Sequence, residues 1–370
     1  MSVAQTGSIT SLSVDLFYDI LRRLDGATLA SAGCACADFR SISREERLWE
    51  NVCGSLWPST KREDVRRLIS SMGGFRKFYA DCFPLIINKE LPNVNFDSVL
   101  EFFDEWWEDD YYYDELDECE NVSPSDLVSI VDVRFKEKIV YSKVVWGIPD
   151  FDHFHDWFYN CPFRIDLLSC SEENHIPEDG EVTLSTEDGL PSIESIDRER
   201  KEGKLWKELR DGIRLSWIVV NRKMKQAANL ASWSPLGGQR HWPTDEDFLI
   251  RFGSILPAKD ILPCQVVQCI LVMKWRMVDG ATTLKLMELS MQLEDMAGAH
   301  VNGRSSLLVL KEALSCHRSK NYSEVLESCH QYSRAQTELK EEKMRNENRL
   351  DRLCILSGIA ALVTLWYCIL

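Results

Sequence analysis

The chain of 370 residues lacks the local motifs on which most enzyme classes depend. It contains no G-x-S-x-G turn, no H-E-x-x-H helix, no P-loop and no G-x-G-x-x-G fingerprint. Each of these motifs places a reacting or phosphate-binding group in a defined backbone geometry. Their absence leaves hydrolase, zinc-protease and nucleotide-binding chemistry without support. We therefore expect a non-catalytic protein that needs no cofactor and no metal ion.

Cysteines at metal or redox spacing are also missing. None of the thirteen cysteines forms a C-x-x-C pair, and their irregular spacing is unlike the disulfide framework of a secreted domain. The N-terminal stretch MSVAQTGSITS has no cationic start and no apolar core, so it is not expected to be a signal peptide. These absences favour reduced thiols in a cytosolic or nuclear compartment.

One short segment gathers residue types that bind metals. His153 and His155 lie beside Asp152 and Asp156, and Cys161 follows. Their spacing matches no common zinc pattern, and phenylalanine and tryptophan crowd the same segment. We favour histidines packed among aromatic rings, with a metal site as the alternative.

Basic residues are absent from residues 90–133, which carry 15 carboxylates and no lysine, arginine or histidine. The rest of the chain holds 44 acidic against 43 basic side chains, so the net charge of −16 comes from one block. No basic face is rich enough to follow a phosphate backbone, which argues against nucleic-acid binding.

Within the acidic block, Ser98 and Glu101 predict a capped helix. Its aromatic residues recur at helical spacing with acids between them, which predicts an aromatic-faced, acid-backed helix. One interpretation is a solvated insertion that folds back on its own domain. The other is a docking helix for a groove with a basic rim. The candidate partner-docking residues are Phe102, Phe103, Trp106 and Trp107.

Near the N-terminus, residues 12–57 predict three short helices. The first covers LSVDLFYDILRRL, whose leucine and isoleucine residues share one face, and an Asp-Gly pair ends it. The second begins near Thr28, and Ser43 with Glu46 predicts a capping box for the third. A helical unit of this size buries little apolar surface by itself. We therefore expect a partner to cover part of its apolar face.

The spacing of these apolar residues is that of a known module. The residues that show this spacing are Leu12-Ser-Val-Asp-Leu16, Ile20-Leu21, Leu24-Asp25, Leu29, Cys36-x-x-Phe39-Arg40 and Leu48-Trp49. These residues resemble the F-box, and the whole chain is similar to a plant F-box family. Ser13 and Phe39 stand where the family most often has proline and tryptophan, and both substitutions are mild.

The resemblance implies that this stripe binds the Skp adaptor of a cullin–RING ubiquitin ligase, and through it the cullin and RING subunits. The expected adaptor-binding residues are Leu12, Leu16, Ile20, Leu21, Leu24, Leu29, Ala32, Cys36, Phe39, Leu48 and Trp49.

From residue 127 onward, the apolar residues no longer recur at the 3.6-residue spacing of a helix and instead alternate with polar residues, as in a strand. Residues 267–277 and 287–293 predict two strands, and Asp279-Gly280 between them predicts a hairpin. A second Asp-Gly pair lies between the apolar segments 205–209 and 213–220, where it predicts another hairpin. Further strand-like runs cover 127–133, 137–146, 163–169 and 247–254. We expect an antiparallel sandwich of at least seven strands.

The chain ends in LCILSGIAALVTLWYCIL, residues 353–370, which carry no charge. As a helix this stretch would be about 27 Å long, close to the hydrocarbon thickness of a thin bilayer. Five cations precede it and none follows, which favours a tail anchor whose upstream chain stays in the cytosol. The endoplasmic reticulum is a candidate membrane. The alternative is a protein of the soluble cytoplasm or nucleus.

The expected architecture is α+β: a three-helix F-box, an antiparallel β-sandwich-like domain, and C-terminal helices ending in a candidate transmembrane helix. The expected segments are a disordered N-terminus (1–11), F-box (12–57), helical extension (58–89), acidic aromatic insertion (90–125), β-rich target-binding domain (126–303), helical stalk (304–352) and membrane tail (353–370).

The function implied is that of a substrate receptor of an SCF-type ubiquitin ligase, which recruits an unknown protein target at a membrane surface. Catalysis would then come from proximity supplied by the assembly. Two alternatives are a membrane-tethered scaffold that does not promote ubiquitination, and a sandwich that binds a small ligand.

Overall fold

The computed structural model describes residues 14–88, 123–148, 155–168, 182–190, 204–240, 247–278 and 283–369. These residues form ten α-helices and twelve β-strands. The α+β class expected from the sequence is confirmed. The helices are α1 (Val14–Leu21), α2 (Gly26–Ala32), α3 (Ala37–Ile42), α4 (Glu46–Leu56), α5 (Glu63–Ser71), α6 (Phe75–Cys82), α7 (His155–Asn160), α8 (Lys204–Gly212), α9 (Gly303–Ala313) and α10 (Tyr322–Ile369).

The strands form two main antiparallel sheets. In chain order they are β1 (Leu85–Ile86), β2 (Leu127–Phe135), β3 (Lys138–Trp146), β4 (Arg164–Leu168), β5 (Thr183–Ser185), β6 (Ile213–Asn221), β7 (Gln226–Asn229), β8 (Gly237–Arg240), β9 (Asp247–Pro257), β10 (Val266–Val278), β11 (Thr283–Glu294) and β12 (Arg318–Ser319). The first sheet has the order β3-β2-β6-β7. The second has the order β4-β11-β10-β9-β8, with β5 also paired to β11, and β1 pairs with β12 separately.

The long strands predicted from alternating apolar residues are present. Strands β10 and β11 pair antiparallel, with Met273 opposite Leu289. Asp279-Gly280, the expected turn between them, lies outside the described residues. The segment 205–209 was expected to be a strand, and this is wrong, because it belongs to α8. Leu205 and Leu209 lie one helical turn apart, and both are buried in the core that also contains residues of β2 and β6.

Residues 14–57 form four helices, where three were expected between residues 12 and 57. Helix α3 is a separate short helix, capped at its start by the Cys36 Sγ, which accepts from the Phe39 N–H at 3.4 Å. The capping box expected at Ser43 is also wrong. Ser43 ends α3, and its hydroxyl donates to the Arg40 carbonyl at 3.2 Å, while α4 begins without a side-chain cap. The Glu46 carboxylate accepts instead from the distant Phe75 N–H.

The first sheet is buried on both faces. Alternate residues of β2 point in opposite directions: Val131 and Val133 face the second sheet, whereas Val128 and Ile130 face helices α1–α6. This explains why eight of the nine residues of β2 are buried. The molecule therefore has three layers, with the N-terminal helices, the first sheet and the second sheet stacked in that order.

Polar contacts fix how the helical layer sits on the first sheet. Asp132 of β2 is buried, and its Oδ1 accepts from the Ser59 N–H (3.1 Å), the Ser59 hydroxyl (2.9 Å) and the Ser142 hydroxyl (2.6 Å). The buried Trp57 indole donates to the Ser216 hydroxyl at 3.1 Å. Because these bonds join residues far apart in sequence, they select one position of the helices on the sheet.

Burial raises the pKa of the Asp132 carboxyl above its usual value, and the hydrogen bonds from Ser142 and Ser59 oppose this only in part. The folded chain therefore holds this proton more tightly than the unfolded chain. The contribution of Asp132 to the free energy of unfolding accordingly falls as the pH rises above about 4, the usual pKa of aspartate.

We expect Asp132→Asn to flatten this pH dependence, because the amide keeps an acceptor for Ser59 and carries no charge. Asp132→Ala should instead cost about 1–3 kcal/mol, since the Ser59 N–H loses its acceptor. Urea unfolding of the chain ending at Arg352 at several pH values between 4 and 7 measures both effects. An Asn variant with the same pH slope as the parent chain would show that Asp132 does not titrate as described.

Candidate partner-binding surfaces

Helix α1 has two apolar strips that serve different purposes. Phe17 and Leu21 are buried against the rest of the helical layer. Leu16 and Ile20 lie one turn apart on the adjoining strip, and 43% and 44% of their side chains are exposed. At 100° per residue these two strips are neighbours on the helix surface. The exposed strip is therefore held in place by the buried one and remains open to a partner.

Aromatic and capping contacts position α1 and α2. The Phe17 and Phe39 rings meet edge to face at 5.2 Å, which joins α1 to α3. Asp25 caps α2 by accepting from the Thr28 N–H at 3.0 Å. Gly26 follows, and a side chain there would overlap the Tyr79 ring, since an added Cβ would lie 2.2 Å from its Cζ. The Asp-Gly pair thus both starts α2 and lets it pack closely on α6.

The residues predicted to bind the adaptor fall into four groups in the structure. Exposed are Leu16, Ile20 and Cys36; partly buried are Leu24, Ala32 and Phe39; buried are Leu21, Leu29, Leu48 and Trp49; and Leu12 lies outside the described residues. The buried group belongs to the core that joins the helices to the first sheet. In this conformation its members support the exposed strip from beneath.

Trp49 illustrates this supporting role. Its ring is 3% exposed, and its indole donates to the Ser43 carbonyl at 2.6 Å. Its ring also packs 5.2 Å from the Tyr79 ring. These contacts tie α4 both to the end of α3 and to α6. Leu48 is likewise 1% exposed, so both residues are part of the core of the helical layer.

A shallow groove of about 600 Å³ lies beside the C-terminal end of α1. It is lined by Arg22, Arg23, Glu50, Asn51, Gly54, Ser55 and Lys61. Arg22 and Arg23 share one carboxylate, Asp19, at 2.6 and 2.9 Å, and Glu50 pairs with Arg66 outside the groove. The groove therefore carries excess positive charge next to the exposed apolar strip. This groove was not among the features predicted from the sequence, although the Arg-Arg pair at the end of a predicted helix was a visible signal.

Two other sequence predictions fall largely outside the described residues. The candidate docking residues Phe102, Phe103, Trp106 and Trp107 all lie there. So does His153, and only the backbone of His155 is described. In the part of the chain that the structure describes, no group of three or more histidine, cysteine or acidic residues is placed to hold a metal ion.

The predicted stalk and tail form one continuous helix, α10, of 48 residues. Its first half packs on the body through Val325, Cys329, Tyr332 and Leu339, which are all buried. Its final apolar stretch has a mean hydropathy of 1.8, and none of it is buried. By length and composition this part of α10 is a candidate membrane span.

The chain is similar along its whole length to plant proteins. An F-box protein of Arabidopsis thaliana is 28% identical over 100% of this chain and 98% of its own length. A probable F-box protein of the same species is 28% identical over 98% of this chain and 94% of its own. F-box protein GID2 of Oryza sativa subsp. japonica matches the N-terminal region at 35% identity, over 20% of this chain and 35% of its own length.

No protein-family model matches the chain. No solved structure matches it either. The full-length similarity covers the helical layer, both sheets and α10, and the shorter match concerns the N-terminal helices alone. The resemblance of this chain to the plant F-box proteins is therefore confirmed.

Proposed function

We propose that the protein is a substrate-receptor subunit of an SCF-type ubiquitin ligase. The observation that carries the proposal is the exposed apolar strip of Leu16 and Ile20, on a helical unit that resembles the F-box. This strip would bind a Skp-family adaptor, and the cullin and RING subunits would join through that adaptor. The basic groove formed by Arg22, Arg23 and Lys61 borders the strip and would add electrostatic steering to the apolar contact.

The β-sandwich would hold the target protein. Because the helical layer shares a core with the first sheet, a target bound to the sandwich would be held at a constrained distance from the adaptor. The chain then contributes orientation and proximity, while the transfer of ubiquitin is carried out by the other subunits. No catalytic residue in this chain is required by this scheme.

We expect Leu16→Asp/Ile20→Asp to abolish co-purification with a Skp-family adaptor. Each substitution places a carboxylate in a contact that would otherwise exclude water, which costs several kcal/mol unless the charge is paired. The matched control is Ile139→Asp on β3, because Ile139 is also apolar and is 45% exposed. Adaptor capture that is equal in the double variant and the control would contradict the proposed interface.

Leu48→Ala/Trp49→Ala tests a different property, namely the stability of the helical layer. Truncating these two buried side chains should lower the free energy of unfolding by more than about 4 kcal/mol, given costs of about 2–5 kcal/mol for each. Thermal unfolding of the chain ending at Arg352 measures this directly. An unchanged melting temperature together with lost adaptor binding would show instead that both residues contact the adaptor.

We also propose that the end of α10 anchors the protein in a membrane, with the body on the cytosolic side. The exposed apolar stretch supports this, because the hydrophobic effect strongly disfavours leaving so many side chains in water. About 20 Å of helix separates Leu339, the last buried residue, from Leu353, where the uncharged stretch begins. Such a tether would raise the local concentration of targets on the same membrane surface.

The full chain is expected to stay with the membrane fraction after alkaline extraction, whereas the chain ending at Arg352 should be soluble. Replacing Leu362 and Val363, at the middle of the uncharged stretch, by arginine should also release the full chain, because each charge at mid-membrane depth costs about 3 kcal/mol. Release of the unmodified full chain by alkali would contradict the anchor. That result would say nothing about adaptor binding, which the Leu16→Asp/Ile20→Asp variant tests separately.

A further inference from the structure

The turn between β6 and β7 presents three cations in four residues. It consists of Arg222, Lys223, Met224 and Lys225, and we call it the basic turn. All four residues are exposed, and 37% of the Met224 side chain is accessible. Among the described residues, none of the three cations forms an ion pair with a carboxylate. No carboxylate of the described residues therefore pairs directly with these cations, and the nearby Asp64 carboxylate accepts a hydrogen bond from the Trp146 side chain at the end of β3.

The backbone of the basic turn is held by the surrounding structure. The Asn221 Oδ1 accepts from the Met224 N–H at 2.9 Å, and the Lys77 ammonium donates to the Lys225 carbonyl at 2.6 Å. The Arg222 guanidinium donates to the Ser125 carbonyl, also at 2.6 Å. These contacts come from three different parts of the chain. The cations of Lys223 and Lys225 are consequently presented from a fixed support.

Lys225 adopts a backbone conformation that does not favour lysine. Its φ of +54° lies in the left-handed region, where glycine and asparagine fit with less strain. Backbone strain of this kind often accompanies a functional constraint. A lysine at this position adds charge to the turn, which an asparagine would not do.

An exposed aromatic ring lies beside the cations. Trp146, at the end of β3, is 42% exposed, and the Arg222 guanidinium carbon lies 5.8 Å from its ring centre. Tryptophan and basic residues together are typical of protein surfaces at the membrane interface, where the ring sits among headgroups and the cations meet phosphates. Met224 adds a flexible apolar side chain to the same surface.

We propose that the basic turn, with Trp146, binds the surface of an anionic phospholipid membrane. This inference rests on the membrane location proposed above, because the anchor would bring such a surface close to the body. The overall charge of −16 does not prevent the contact, since at physiological salt only charges within about 8 Å interact strongly. An acidic protein would satisfy the cations equally well, but it would not explain the exposed Trp146 and Met224 beside them.

The test uses the chain ending at Arg352, so that the tail plays no part. Of the residues that the truncation removes, 353–369 are described and all of these are exposed, so none belongs to the described core. Co-sedimentation is measured with phosphatidylcholine vesicles that contain or lack phosphatidylserine. We expect binding only to vesicles with phosphatidylserine. Lys223→Gln/Lys225→Asn should weaken that binding about 30-fold, which corresponds to about fivefold for each cation.

The matched control is Lys207→Gln/Lys320→Gln, which removes two other exposed lysines and the same amount of charge. It should bind as the parent chain does. Asparagine tolerates the backbone of residue 225, so the test variant should unfold at or above the parental temperature. Equal binding to both kinds of vesicle, or an equal loss in the control, would overturn the proposal. Because the tail is absent, neither outcome bears on the anchor, which alkaline extraction of the full chain tests.

Discussion

The burial of the first sheet on both faces is the constraint on which the rest of the structure depends. One face packs on the second sheet, and the other packs on the N-terminal helices. Because apolar burial contributes about 25 cal/mol per Å², separating the helices from this sheet would expose a large apolar surface at considerable cost. The Asp132 and Trp57 hydrogen bonds then select one alignment among the many that apolar packing alone would allow. The F-box-like helices and the β-sandwich therefore form one packed body.

This constraint explains how a single apolar stripe comes to have two roles. A short helix such as α1 cannot bury all its apolar residues, because its neighbours cover only one side of it. Phe17 and Leu21 stabilise the fold, and Leu16 and Ile20 remain at the surface. Leu48 and Trp49 lie entirely on the inner side, where they hold α4 against α6. A substitution at either of these two positions therefore affects stability before it affects a contact surface.

Positive charge and exposed apolar side chains are concentrated on separate local surfaces of the protein. The proposed adaptor contact and the proposed membrane contact use different surfaces of this kind. The groove beside α1 and the basic turn are both positive, in a protein whose net charge is −16. At physiological salt, screening makes such local surfaces largely independent of the total charge. Helix α10 continues from a partly buried first half into an exposed second half that ends in the apolar stretch, so one continuous helix joins the body to the candidate membrane span.

The sequence by itself determined the elements whose periodicity is unambiguous. Alternation over residues 267–277 and 287–293 identified β10 and β11, and the charge-free run identified the apolar end of α10. Local patterns were insufficient for segment 205–209, where five residues and an Asp-Gly pair suited a hairpin as well as a helix end. Tertiary structure alone decided that Ser43 ends a helix and that Leu16 and Leu21 face opposite environments. The physical reason is that periodicity shows which residues share a face, whereas only the packed neighbours decide which part of that face they cover.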